Sequence, residues 1–178
     1  MAVKRHRLTL WQNRGIFLKT KVAYYGVFTA LALIFSYIET LVPLPIAIPG
    51  IKIGLANLII VFALYKLKIG EVTVLSVVRV LLVGALFGSL FSVIYSLAGA
   101  IVSLGVMYLL KKTEKFSVIG ISMAGGVFHN IGQLIVAGIV LESLSVIYYA
   151  PVLLVAGVVT GIVIGIVSNE VIKRLQKV

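Results

Sequence analysis

Runs of about 20 apolar residues recur from Val22 almost to the C-terminal end, separated only by short basic or proline-bearing segments. A bilayer core needs about 20 such residues per helix. Lipid offers no hydrogen bonds, so a chain built this way has to satisfy its backbone within helices. The runs predict spans at Val22–Val42, Ile53–Tyr65, Val72–Gly88, Leu90–Leu110, Val118–Leu141 and Ile147–Ile172. The second is short. The boundary between the third and fourth is the least marked, because neither charge nor proline punctuates residues 84–96. Composition agrees. Hydrophobic residues make up 61% of the chain and charged residues 12%, with a mean hydropathy of +1.19, against about 45–50% and about 25% in soluble domains. The expected fold is all-α, an integral membrane bundle of six transmembrane helices spanning residues 22–178.

The basic residues fix the topology. Lys4, Arg5, Arg7, Arg14, Lys19 and Lys21 precede the first span. Lys66 and Lys68 follow the second, Lys111, Lys112 and Lys115 follow the fourth, and Lys173, Arg174 and Lys177 follow the sixth. Cytoplasmic segments are enriched in Lys and Arg. With six crossings, 14 of the 16 basic residues face the cytoplasm, as do both termini, leaving Lys52 outside and Arg79 within a span. A five-span chain would put basic clusters on both faces. The same clustering accounts for the net charge of +11 by membrane topology rather than by nucleic-acid binding. The expected location is the cell membrane.

Residues 1–21 form a basic segment in which Leu8, Leu10, Trp11, Ile16, Phe17 and Leu18 are interspersed among the charges. That suits either an amphipathic helix on the anionic inner leaflet or a disordered tail. The first apolar run is too long for a signal peptide and is read as a retained span. Pro43, Pro45 and Pro49 stiffen the first outer loop, which reads equally as a surface turn or as a lid that dips into the membrane.

A polar side chain inside a span costs several kcal/mol unless it finds a partner or water, which makes each one a functional candidate. Six stand out: Glu39, Asn57, Arg79, His129, Asn130 and Gln133, with Ser92, Tyr95 and Ser96 milder. At about 1.5 Å of rise per residue, Glu39 and Asn57 fall toward the outer ends of their spans. His129 falls near the midplane, with Gln133 on the same face one turn further out. Most of the strong hydrogen-bonding groups thus occupy the outer half, which predicts a polar substrate cavity open to the outside and closed from the cytoplasm. The competing reading is interhelical hydrogen bonding. Tyr148 and Tyr149 fit an aromatic belt.

The chain has no phosphate-binding loop, no Asp and no Cys, and one membrane-embedded His is no metal site. No catalysis, cofactor or metal is expected. Small residues form the remaining pattern. Gly157, Gly161 and Gly165 suit close packing within the bundle, and Ala23, Gly26 and Ala30 give the first span a small-residue face where a partner helix can approach.

Three segments carry a family resemblance: Pro49-Gly50-Ile51-Lys52-Ile53-Gly54-Leu55-Ala56-Asn57, Ala124-Gly125-Gly126-Val127-Phe128-His129-Asn130-Ile131-Gly132-Gln133, and Pro151-Val152-Leu153-Leu154. They resemble the Gx transporter family, labelled heptaprenyl diphosphate synthase component I, which is similar to the substrate-binding S components of energy-coupling factor (ECF) transporters. The resemblance implies a six-helix bundle that takes a small molecule at its outer face. It also implies a transmembrane coupling protein and two ATPase subunits as partners, docking on the small residues of the first helix, where Gly26 stands in place of the commoner Ala. The synthase label fits poorly, since the Asp-rich clusters that grip diphosphates are absent. Two alternatives remain: a membrane subunit of a quinone- or flavin-linked electron-transfer assembly, and a non-catalytic component of polyprenyl diphosphate synthesis.

Overall fold

The structure, a computed structural model, describes residues 22–39, 41, 54–142 and 148–175. These residues form six α-helices and no strand: α1 (Val22–Glu39), α2 (Leu55–Lys66), α3 (Ile69–Phe87), α4 (Leu90–Lys112), α5 (Val118–Leu141) and α6 (Ala150–Leu175). All but α2 are long and apolar enough to cross a membrane. The N-terminal segment, the Pro43–Gly50 loop and Lys52 lie outside the described residues.

Local caps set the boundaries that hydropathy left open. Gly88 ends α3 in an extended conformation, and Ser89 starts α4, its Oγ accepting from the Ser92 amide at 3.2 Å. The long apolar stretch is therefore two helices, as six spans require. Helix α3 starts three residues before the expected Val72, because the Glu71 carboxylate accepts from the Lys68 amide at 2.9 Å and organises the first turn. Ser117 caps α5 in the same way, accepting from Gly120 at 3.2 Å. Helix α6 begins at Ala150, after a short 3₁₀ turn holding the exposed Tyr148 and Tyr149.

Helix α2 is the exception among the expected spans. Its 12 residues rise only about 18 Å, less than the roughly 30 Å of hydrocarbon. Seven of them are buried, Ala56 and every residue from Ile59 to Leu64. A helix that is apolar all round belongs inside a core, and α2 packs against α3 and α6, with Phe28 of α1 against its Phe62 at 5.6 Å between ring centroids. Lys111 of α4 reaches its C-terminal end, donating from Nζ to the Leu64 carbonyl at 2.5 Å, over the Tyr65 ring. The last carbonyls of a helix are orphans that attract cations, so this contact ties α2 to α4.

The other helices turn apolar residues outward. Leu86, Ile139 and Val155 are each more than 60% exposed, and Val155, Val159 and Val163 make an outward stripe along α6. On a soluble protein such surface would be a liability; on this membrane protein it is what lipid covers.

Helix α5 packs most extensively, against α4 on one side and α6 on the other. Glycines allow it. A Cβ placed on Gly157 would stand 2.8 Å from the Gly126 carbonyl oxygen, and one on Gly161 or Gly165 would stand 2.6–2.7 Å from the α5 backbone at Met123 and Ile119. The stripe Gly157–Gly161–Gly165 is thus the face α6 turns to α5. Across α5, a Cβ on Gly132 would lie 2.8 Å from the Ala98 carbonyl oxygen of α4.

The described basic clusters gather at one end of the bundle. Lys111 of α4 meets the end of α2, and Lys66 and Lys68 border a groove shared with Tyr24 and Tyr25 at the start of α1. Between that end and the middle of the bundle lies an apolar core that includes Ile60, Leu64, Leu75, Met107, Ile121 and Ile164.

Candidate functional site

Beyond this core, toward the end away from the described basic clusters, lies a cavity of about 310 Å³. It is lined by the last turn of α1 (Ser36, Glu39), the start of α2 (Gly54, Asn57) and the second half of α3 (Arg79, Val80, Val83, Gly84). The start of α4 (Ser92, Ser96), the middle of α5 (Gly126, His129, Asn130, Gln133) and the first half of α6 (Ala156, Thr160) complete it. All six helices contribute. Glu39, Asn57, Arg79, His129, Asn130 and Gln133, six groups separated by as many as 94 positions in sequence, meet at this one place.

The wall is built by specific contacts. Gly54 begins α2 in the left-handed region, φ 79°, a conformation that costs a side chain 1 kcal/mol or more. Its amide donates to Glu39 Oε1, which joins the end of α1 to the start of α2. A Cβ there would also meet Ile164 of α6 at 2.9 Å. Glycine is required on both counts, and the Gly54–Asn57 part of the first motif becomes a cavity corner. The second and third motifs meet each other: Asn130 of α5 donates from Nδ2 to the Leu153 carbonyl of α6 at 2.5 Å. Ser103 of α4 ties the other flank by donating to the Gly125 carbonyl at 2.8 Å. Asn130 therefore does what the interhelical reading expected of it, while also facing the cavity.

Arg79 and Gln133 differ. Arg79 is 8% exposed and Gln133 1% exposed, and among the described residues neither Arg79 Nε nor Gln133 Oε1 has a hydrogen-bond partner. Glu39 attracts the Arg79 guanidinium electrostatically. Buried polar groups without partners are rare and call for an explanation, and in a bundle surrounded by hydrocarbon their cost is higher still.

Sequence reasoning missed Ser36 and Thr160. Both fit standard intrahelical roles for a hydroxyl, and Thr160 does donate to the Ala156 carbonyl at 2.9 Å. The available signal was position: Ser36 sits three residues before Glu39, on the same face of α1. Ser92 and Ser96 line the cavity, whereas Tyr95 stacks on Phe91 at 5.7 Å between centroids and is not part of the wall. Among the described residues no three His, Asp or Glu side chains come together as a metal-binding group.

Ala23, Gly26 and Ala30 lie elsewhere. All three are exposed on α1, and a Cβ on Gly26 would meet nothing within 4 Å. The same helix buries Ala32 and Ser36 on its inner face.

A family model described as heptaprenyl diphosphate synthase component I matches residues 28–171. Neither a curated protein nor a solved structure matches the chain.

Proposed function

The chain belongs to the family described as heptaprenyl diphosphate synthase component I, and we propose that this member is a substrate-binding S component of an ECF-type transporter. It captures a small molecule at the outer face and hands it to a partner module for ATP-driven uptake. One observation carries the reading: in an otherwise apolar bundle, every helix sends polar or charged side chains or small residues to one cavity, and an apolar core separates that cavity from the basic end. Such pockets, few in number and mostly preformed, are where small molecules bind. The synthase named in the family description is disfavoured as an activity of this chain, which has no Asp in its sequence to hold metal-bound diphosphate. We assign it no catalysis.

In this proposal the basic end faces the cytoplasm. Helix α2 carries the chain from the cavity end to the basic end, so it counts as a crossing despite its length, and both termini are cytoplasmic. A reporter active only in the cytoplasm is expected to be active when fused to either terminus. Activity at one end only would remove the six-crossing topology. The partners are a transmembrane coupling protein and two ATPase subunits, and purification from native membranes is expected to bring all three down with this chain. Their absence from a gentle, stable preparation would contradict the transport assignment.

The cavity itself makes a separate prediction. Gln133→Ala removes a buried polar group from the wall, a loss of roughly 1–3 kcal/mol where a ligand uses it. Retention of the co-purifying small molecule, read by mass spectrometry after denaturation, is expected to weaken by about tenfold or more. Asn130→Ala is expected to do the same and also to lower the unfolding temperature, because Asn130 holds Leu153. Ile139→Ala, on the lipid face, is expected to change neither.

A further inference from the structure

The groups lining the cavity differ in how far they are already paired, and that difference points to the ligand's chemistry, given the binding role proposed above. The Gly54 amide already donates to Glu39, and Asn130 Nδ2 is committed to the Leu153 carbonyl. Among the described residues Arg79 Nε and Gln133 Oε1 have no hydrogen-bond partner, although both residues are more than nine-tenths buried and line the cavity. Side-chain rotation away from a preferred rotamer would bring these atoms to an occupant of the cavity, and a polar group buried without a partner costs more than such a rotation. Among the described residues the lining thus includes a cationic donor and a neutral acceptor whose hydrogen bonds are unmade.

We propose that the cavity takes a small organic molecule bearing a single carboxylate, seated on Arg79, with an N–H or O–H donor directed at Gln133 Oε1. The planar guanidinium fork matches a carboxylate in two parallel hydrogen bonds. Charge decides between carboxylate and phosphate. A phosphate monoester brings about 1.5–2 negative charges at neutral pH, and among the described residues Arg79 is the one Lys or Arg of the lining, in a wall that already contains Glu39. Glu39 already accepts from the Gly54 amide, so one ligand carboxylate can take Arg79, whereas a further charge on the ligand would have no cation among the described residues, which is costly at low dielectric. Volume limits the size. The 310 Å³ of the cavity lies at the lower end of the range for ligand pockets, roughly 300–1,000 Å³.

The test uses the whole chain in nanodiscs, with apparent affinities taken from the concentration dependence of thermal unfolding. The probes are acids and their primary amides, benzoate against benzamide and hexanoate against hexanamide, together with phenyl phosphate. The expected result is that the acids bind at least about tenfold tighter than their amides and tighter than phenyl phosphate. Arg79→Gln is expected to bring acid and amide to within about twofold of each other, and Arg79→Lys to keep the preference with weaker binding. The inference is overturned if no acid stabilises the protein, if acid and amide bind alike, if phenyl phosphate binds tightest, or if the preference survives in Arg79→Gln. Should Arg79→Gln not fold, the wild-type acid–amide ratio together with Arg79→Lys decides. The outcome is independent of the transport partners. An acid preference without a co-purifying coupling protein leaves this inference standing and removes the transport reading; the reverse pattern removes this inference alone.

Discussion

Gly157→Leu is expected to reduce the yield of monodisperse protein to a small fraction of wild type. The substitution puts a branched side chain where even a Cβ would stand 2.8 Å from the Gly126 carbonyl oxygen and 2.9 Å from Asn130 Nδ2. One obstacle is backbone, which cannot rotate away, so α5 and α6 have to separate. Overpacking of this kind costs about 1–3 kcal/mol and sometimes more. Separation also breaks the Asn130–Leu153 bond, leaving a buried amide unsatisfied at a further roughly 1–3 kcal/mol. Against a total stability of about 5–15 kcal/mol, the two together remove much of the margin. Gly138→Leu is the control, since a Cβ there meets nothing within 4 Å. Fluorescence-detected size-exclusion chromatography of the two variants makes the comparison. Equal profiles would mean that the close α5–α6 crossing is not what holds the bundle together.

The second large effect concerns assembly rather than folding. Leucine at Gly26 and Ala30 is expected to abolish co-purification of the coupling protein and ATPases while leaving the protein folded and its cavity competent. Both positions are exposed, and among the described residues nothing lies within 4 Å of a Cβ on Gly26, so the side chains cost the isolated protein little. A helix that approaches this face closely needs small residues, and leucine would hold its axis away. Unchanged co-purification in the double variant would place the docking surface elsewhere.

How much of this was legible in the sequence depended on the kind of signal. Five long helices followed from apolar runs, because spanning helices are dictated by composition. The residues that line the cavity were legible for the opposite reason. Glu39, Arg79 and Gln133 are conspicuous against lipid-compatible neighbours, and side chains that lipid rejects have to turn toward one another. What periodicity did not reveal was set by single hydrogen bonds. Ser89 and Gly88 divide the long apolar stretch with no charge to mark the break, and Glu71 starts α3 a turn early. The central place of α2 was also unmarked, since a short apolar run reads alike as an incomplete span or a buried helix until its neighbours are known. Ser36 and Thr160 were hidden because a hydroxyl in a membrane helix is satisfied by its own backbone. The pairing of Asn130 with Leu153 joins two motif segments that sequence reading had noted separately, without a reason for their connection.

The central claim is that the cavity beneath the end of α1 is a polar, water-filled site entered from outside the cell. The chain contains no cysteine, so single-cysteine variants report without background. Ser96→Cys and Thr160→Cys replace hydroxyls of the cavity wall, and Val159→Cys places a thiol on the lipid face, where Val159 is 54% exposed on the bundle, about 14 Å along α6 from its start. Thiols react with maleimides as the hydrated thiolate. With a membrane-impermeant maleimide added to intact cells, the account predicts labelling at positions 96 and 160 and none at 159. Cavity cysteines that stay unlabelled in intact cells, or that react only when the reagent is given access to the cytoplasmic side, would contradict it.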